Sequence, residues 1–150
     1  MDCYRLRWEE VLYEPGAVKA VAYRKHRKLG ESVVRTADAP ARLRLTPDRK
    51  SLRSDGDDLC YVLVEATDRS GTLCPLATHQ ITCKLEGPAS IAGVGNGDHH
   101  FPAEFDTNKV SLFYGKAMVI LRSIEGQSGQ IQIEAIAEGL SSDRIRVRCR

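Results

Sequence analysis

Aromatic residues are scarce, at 6% of a 150-residue chain that holds one tryptophan, two methionines and three phenylalanines. The arginine-rich stretches have no interleaved aromatics on which successive nucleic-acid bases could stack. No window approaches 18 consecutive apolar residues, which excludes a membrane-spanning helix. Met1-Asp2-Cys3-Tyr4-Arg5 offers no apolar h-region, so no signal peptide is expected here. Neither sign of charge dominates: 22 Lys/Arg against 20 Asp/Glu leave +2. The sequence pI near 8.3 falls short of the range, above about 9, of a concentrated nucleic-acid footprint. Paired cysteine motifs are missing too. Cys3, Cys60, Cys74, Cys83 and Cys149 contain no Cys-x-x-Cys, and an odd number of thiols cannot all pair within one chain. Cys60 and Cys83 stand in apolar, strand-like runs and are expected to be small buried hydrophobes. No Gly-x-Ser-x-Gly occurs, and Gly93, Gly95 and Gly97 are spaced wrongly for a Gly-x-Gly-x-x-Gly phosphate loop.

Charge is segregated along the chain. Up to Arg53 there are 13 Lys/Arg against 7 Asp/Glu; from Ser54 to Asp143 there are 5 against 13; Arg144–Arg150 adds 4 arginines. Period-2 alternation recurs while helical spacing is nearly absent. Arg42-Leu43-Arg44-Leu45 and Arg144-Ile145-Arg146-Val147-Arg148 put every arginine on one face of a strand and every apolar side chain on the other. Further strands are expected at Tyr4–Trp8, Ala17–Tyr23, Ser32–Thr36, Leu59–Ala66, Gln80–Leu85, Ser90–Val94, Ala117–Ser123 and Gln130–Ala137. The residues between them are turn formers: Pro15-Gly16, Asp55-Gly56, Ser70-Gly71, Gly87-Pro88, Asn96-Gly97 and Ser128-Gly129. Many short strands with regular turns predict an all-β sandwich.

A boundary is expected near Ala37-Asp38-Ala39-Pro40. Residues 39–150 have the size of an immunoglobulin-like sandwich. Residues 1–38 carry three expected strands, too few to bury a core of their own. They read as the C-terminal strands of a second, truncated β-sandwich, with Leu6, Trp8, Val18 and Val21 on faces that packing or self-association would cover. Tyr13-Glu-Pro-Gly16 predicts a type II turn into Ala17–Tyr23, and the basic stretch Arg24–Lys28 a hairpin into Glu31–Thr36. Three glycines in Gly93–Gly97 predict a bulge or a close backbone approach.

Tyr4-Arg-Leu-Arg-Trp8, Tyr13-Glu-Pro-Gly16, Val18–Tyr23 and Val34-Arg-Thr-Ala37 resemble an accessory β-sandwich of bacterial glycoside hydrolase family 2 enzymes, the β-galactosidase-like proteins. Leu45–Arg49, Asp55–Leu59, Gly87-Pro-Ala89, Gly93–Asp98, Gly115-Lys-Ala117 and Ala135–Leu140 resemble the immunoglobulin-like C-terminal domain of the same enzymes. The resemblance implies an accessory region of an enzyme that hydrolyses O-glycosidic bonds in carbohydrate metabolism. The fold class it implies agrees with the residue reading: an immunoglobulin-like β-sandwich preceded by the last strands of another.

Catalysis is not expected of this chain itself. The family's two catalytic glutamates belong to a barrel domain that nothing here resembles, and its acid/base follows an asparagine. Asn96 and Asn108 are followed by Gly97 and Lys109 instead. No catalytic, cofactor or metal residue is therefore assigned, and no cofactor is expected. Asp57-Asp58 reads as a solvated turn, because neighbouring strand residues face opposite ways. Cys74, His79 and Cys83 lack the close cysteine pairs of structural zinc sites. The chain departs from the family at His99-His100-Phe101-Pro102, where relatives carry a Pro/Ser/Glu-containing stretch. With Phe105, Phe113 and Tyr114 nearby, His99, His100, Phe101, Phe105 and Tyr114 are the candidates for a carbohydrate or interdomain contact, while Trp8 is expected in the core. Expected partners are the catalytic barrel and other domains of a parent enzyme, with self-association through the N-terminal strands, and neither nucleic acid nor membrane. The resemblance implies a periplasmic or extracellular location. A carbohydrate-binding module and an adhesion-type immunoglobulin-like repeat are the alternatives.

Overall fold

The computed structural model describes residues 7–100 and 105–150, and every described element is a strand or an irregular segment. The chain divides after Thr36 into two compact units.

The first unit is an antiparallel hairpin of β1 (Ala17–Arg24) and β2 (Arg27–Arg35). The expected strand at Tyr4–Trp8 lies mostly outside the described residues; Arg7 and Trp8 are described and belong to no strand. Trp8 is 68% exposed, which overturns its expected place in a core, because a two-stranded hairpin offers no second layer to cover it. Gly16 takes φ +147°, far from the +80° of a type II turn, and its N–H is bonded to Thr36 Oγ1 (3.1 Å). Ala22 pairs with Gly30 and Tyr23 with Lys28, so Leu29 is an unpaired extra residue, a bulge. Beyond it Arg24 pairs with Arg27 across Lys25 (φ +45°) and His26 (φ +67°). Two successive positive φ values make this a type I′ turn, usually built from Asn-Gly. A non-glycine residue in that conformation costs roughly 1–2 kcal/mol.

Strand register gives the hairpin two unlike faces. Val18, Ala20 and Ala22 oppose Val34, Ser32 and Gly30 on one face, which Arg24 and Arg27 share at the tip. The other carries Glu31, held by Lys19 and Lys28 at 2.7 Å each, a pairing that keeps its carboxyl below the usual range.

In the second unit, Ala37–Arg150, β3 (Arg42–Pro47), β5 (Leu59–Thr67), β9 (Lys116–Ser123) and β7 (Ala89–Gly95) form one sheet in that order. The other runs β4 (Ser51–Leu52), β11 (Asp143–Cys149), β10 (Gly129–Ile136), β6 (Gln80–Glu86), β8 (Lys109–Ser111). All pairings are antiparallel except β4 with β11. Alternate residues of the central strands, such as Val62 and Val64 from β5 or Ile131 and Ile133 from β10, are fully buried between the sheets. The arginines of β3 and β11 point away from this core, as their alternation requires. Gly93 follows a register shift against β9, the expected bulge. Cys60, Cys74, Cys83 and Cys149 are buried free thiols.

Register also orders the ends of the sandwich. Arg42 pairs with Thr67, Glu65 with Lys116, Met118 with Gly95 and Ala135 with Asp143. The segments 68–79, 96–100, 105–108, 112–115 and 137–142 therefore gather at the end where the chain enters from Ala37. The acidic turn at Asp55–Asp58 lies at the opposite end beside Arg150, whose carbonyl accepts from Ser54 N (3.0 Å).

Candidate functional site

A buried carboxylate ties together segments at the entry end of the sandwich. Asp68, 1% exposed at the end of β5, accepts from Ser70 Oγ (2.7 Å), Ser70 N (2.8 Å), Thr72 N (2.9 Å) and Asp38 N (3.1 Å). The Ser70 hydroxyl, with the three amides, outweighs desolvation and lowers its pKa to about 2. The Cys74 thiol meets the Asp38 carbonyl at 3.4 Å, so both backbone polar groups of Asp38 are tied to the 68–79 segment. Beside them lies a shallow recess of about 890 Å³, lined by Pro40, Arg42, Arg69, Ser141, Ser142 and Asp143 among others.

Of the expected contact residues, His99, His100, Phe105 and Tyr114 are described and fall at this same end. Asn96 anchors their loop: its Nδ2 donates to Ser111 O (3.0 Å) and its Oδ1 accepts from Asp98 N (3.0 Å). Asp98 in turn accepts from His100 N (2.9 Å), with His100 Nδ1 at 3.6 Å. His99 and His100 are both exposed. Val94 N donates to Phe105 O (2.8 Å), which closes the loop's base and leaves the Phe105 ring 68% exposed. Phe101 lies outside the described residues. Tyr114 is 67% exposed at φ +48° in a tight turn closed by paired Phe113–Lys116 backbone bonds of 2.9 and 3.0 Å. Phe113 and Tyr114 meet edge to face, their centroids 4.6 Å apart at 70°, which gives no flat platform of two rings. Gly115 seats this turn on the 68–79 segment, since a Cβ there would lie 2.3 Å from Cys74 O.

Reading along the sequence missed Leu76, 91% exposed near that turn, and Asp68 itself. Asp68-x-Ser70-Gly71 was legible as an Asx-type turn, because aspartate bonds backbone two residues on; its tie to Asp38 was not.

Acid/base chemistry has no centre among the described residues. Asp55 Oδ1 accepts from Asp57 N (3.1 Å) and Asp58 N (2.8 Å), and those bonds lower its pKa. Asp58 accepts from Arg53 N (2.8 Å) and Arg49 Nη1 (3.1 Å), so this pair of carboxylates builds a turn. No three His, Cys, Asp or Glu side chains converge among the described residues in a way that could hold a metal ion.

Residues 43–146 match the sequence model of the family described as glycoside hydrolase family 2 C-terminal domain 5. Beta-galactosidase BoGH2A of Bacteroides ovatus is 37% identical over 147 residues, covering 98% of this chain and 17% of that protein. A beta-glucuronidase of Formosa agariphila is 26% identical over 149 residues, 97% of this chain and 15% of its own length. The crystal structure of a glycosyl hydrolase family 2 member from Bacteroides cellulosilyticus superimposes with a TM-score of 0.87 at 31% identity, over 93% of this chain and 18% of that one. The chain thus spans under a fifth of the length of these relatives. An all-β sandwich of this register and a family match across most of it lead to one assignment: the chain belongs to the glycoside hydrolase family 2 C-terminal domain 5 family.

Proposed function

We propose that this chain is a non-catalytic accessory region of a β-galactosidase-like family 2 glycoside hydrolase, acting in carbohydrate metabolism outside the cytoplasm, in the periplasm or beyond. The observation that carries the reading is the alignment with BoGH2A, which spans 98% of this chain and only 17% of that enzyme. Residues 1–38 serve as the final strands of a preceding β-sandwich, whose other strands cover the hairpin face that carries Val18, Ala20 and Ala22. Residues 39–150 form the immunoglobulin-like domain, and its entry end, with His99, His100, Phe101, Phe105 and Tyr114, faces neighbouring domains of the same polypeptide, the catalytic barrel among them. A first unit whose described strands number two supports this assignment, since two strands alone are marginally stable in water.

Incubation of the purified chain with chromogenic galactosides, glucuronides and mannosides is expected to give no turnover above a protein-free blank. Turnover that survives repurification overturns the accessory reading. Sequencing upstream in the same reading frame is expected to reveal a barrel with an Asn-Glu dipeptide.

A further inference from the structure

The chain that joins the two units is fastened on both sides. On the hairpin side Thr36 N donates to Gly16 O (2.8 Å), while Thr36 Oγ1 accepts from Gly16 N (3.1 Å) and lies 3.3 Å from Tyr13 Oη. On the sandwich side Asp38 N donates to Asp68 Oδ2 (3.1 Å), the Cys74 thiol meets Asp38 O (3.4 Å), and Ala37 packs against the core. Only Ala37 stands in sequence between these two sets of bonds. Each residue has two soft backbone torsions, so those of Thr36 and Ala37 are all that the connection leaves to turn. A flexible linker instead runs over many residues as a random coil.

The two oxygens of Asp68 have separate partners. Oδ1 takes Ser70 N, Ser70 Oγ and Thr72 N, which shape the 68–72 turn, whereas Oδ2 takes Asp38 N. The strands of the sandwich begin only at Arg42, so the bond to Asp38 fastens the connection and not a strand. With Asp38 released, the next anchor along the chain is Ala41, which donates to Thr67 O (2.9 Å) and accepts from Ser141 N (3.0 Å). The unfastened stretch would then grow from Ala37 alone to Ala37–Pro40.

We propose that Asp68 is a positioning residue for the domain junction. By holding Asp38 it shortens the connection to a one-residue hinge at Ala37 and restricts the orientations open to the unit before it. Hinges in proteins are a few such positions that absorb backbone rotation. This inference goes beyond the accessory reading and does not rest on it.

The test is NMR of the 150-residue chain in a weakly aligning medium, with Asp68→Asn as the first variant. Asparagine keeps a carbonyl for the Ser70 and Thr72 donors and turns toward Asp38 N an amide group that cannot accept. In the wild type the Asp38 and Ala39 amides should be as ordered as those of β10, with order parameters near about 0.85. In Asp68→Asn they should fall below about 0.6, with Ala41 still ordered. The alignment magnitude of β1–β2 relative to the sandwich should drop at least twofold, while the melting temperature falls by less than half of the loss in Asp68→Ala. Inserting Gly-Ser-Gly between Ala37 and Asp38 should lower the hairpin's alignment by the same factor with Asp38 still ordered and melting unchanged. A hairpin whose alignment is already averaged out in the wild type, alignment unchanged in Asp68→Asn, or an Asp38 amide equally ordered in both each overturn the proposal. Should Asp68→Asn fail to fold, the insertion decides, and unchanged alignment there overturns the hinge.

Discussion

Asp68 is a carboxylate out of water whose charge is compensated by a hydroxyl and three amides, one of them on the chain entering the domain. Replacing it with alanine leaves the Ser70, Thr72 and Asp38 amides without their acceptor, and such loss of a buried partner is among the costly kinds of substitution. The melting temperature of the Asp68→Ala variant is expected to fall by about 5–10 °C. Amide exchange at Asp38 should accelerate more than exchange in β10, because the lost bond is local. The same carboxyl makes the domain acid-sensitive in a defined window. Its folded-state pKa of about 2 lies below the ordinary value of 3.8. The stabilisation is therefore complete above the unfolded value and is lost as pH falls through the folded one. A melting series from neutral pH downward should show an acid slope below pH 3.8, diminished in Asp68→Ala.

Among the strands and turns, two glycines are required by space as well as by backbone angle. Gly87, between β6 and β7, takes φ +102°, and a Cβ there would lie 2.2 Å from the Gln130 carbonyl. Gly115 takes φ +71° with Cys74 O at 2.3 Å. Backbone cannot yield as a flexible side chain can, so Gly87→Ala and Gly115→Ala should each destabilise by about 2–4 kcal/mol in chemical denaturation. Gly95 is a glycine of another kind, in ordinary backbone with no atom within 4 Å of a built Cβ. Gly95→Ala is expected to stay within about 0.5 kcal/mol of wild type. If all three substitutions behaved alike, the close approaches at β6–β7 and at the Tyr114 turn would be wrong.

For the molecule as a whole, the buried thiols report whether the sandwich opens as one unit. Cys60 lies in β5 of one sheet and Cys83 in β6 of the other, and burial pushes each thiol to about 11. Thiolate is the reactive form, so both should resist a disulfide reagent in the native state at mildly alkaline pH. Both are then expected to react at a common rate set by global unfolding. A much faster reaction at one of them would show that its sheet opens separately.

Alternation in Arg42–Leu45 and Arg144–Arg148 was sufficient to place these strands and their buried faces, because a period of two allows only one assignment of sides. The short strands β4 and β8, of two and three residues, were not legible, since so few positions carry no periodicity. The residues His99, Phe105 and Tyr114 stand in turn-rich sequence and are each exposed, whereas Leu76 joined that end of the sandwich only through the seat of Gly115 on Cys74. Trp8 went the other way: its alternation with Leu6 suggested a buried face, and the described residues put no second layer over it. By itself the sequence determined the fold class, the strand faces and the family, all of which follow from local pattern and motif order. Only the tertiary structure decided what depends on partners distant in the chain: the Asp68–Asp38 tie and the glycines that fold contacts alone make irreplaceable.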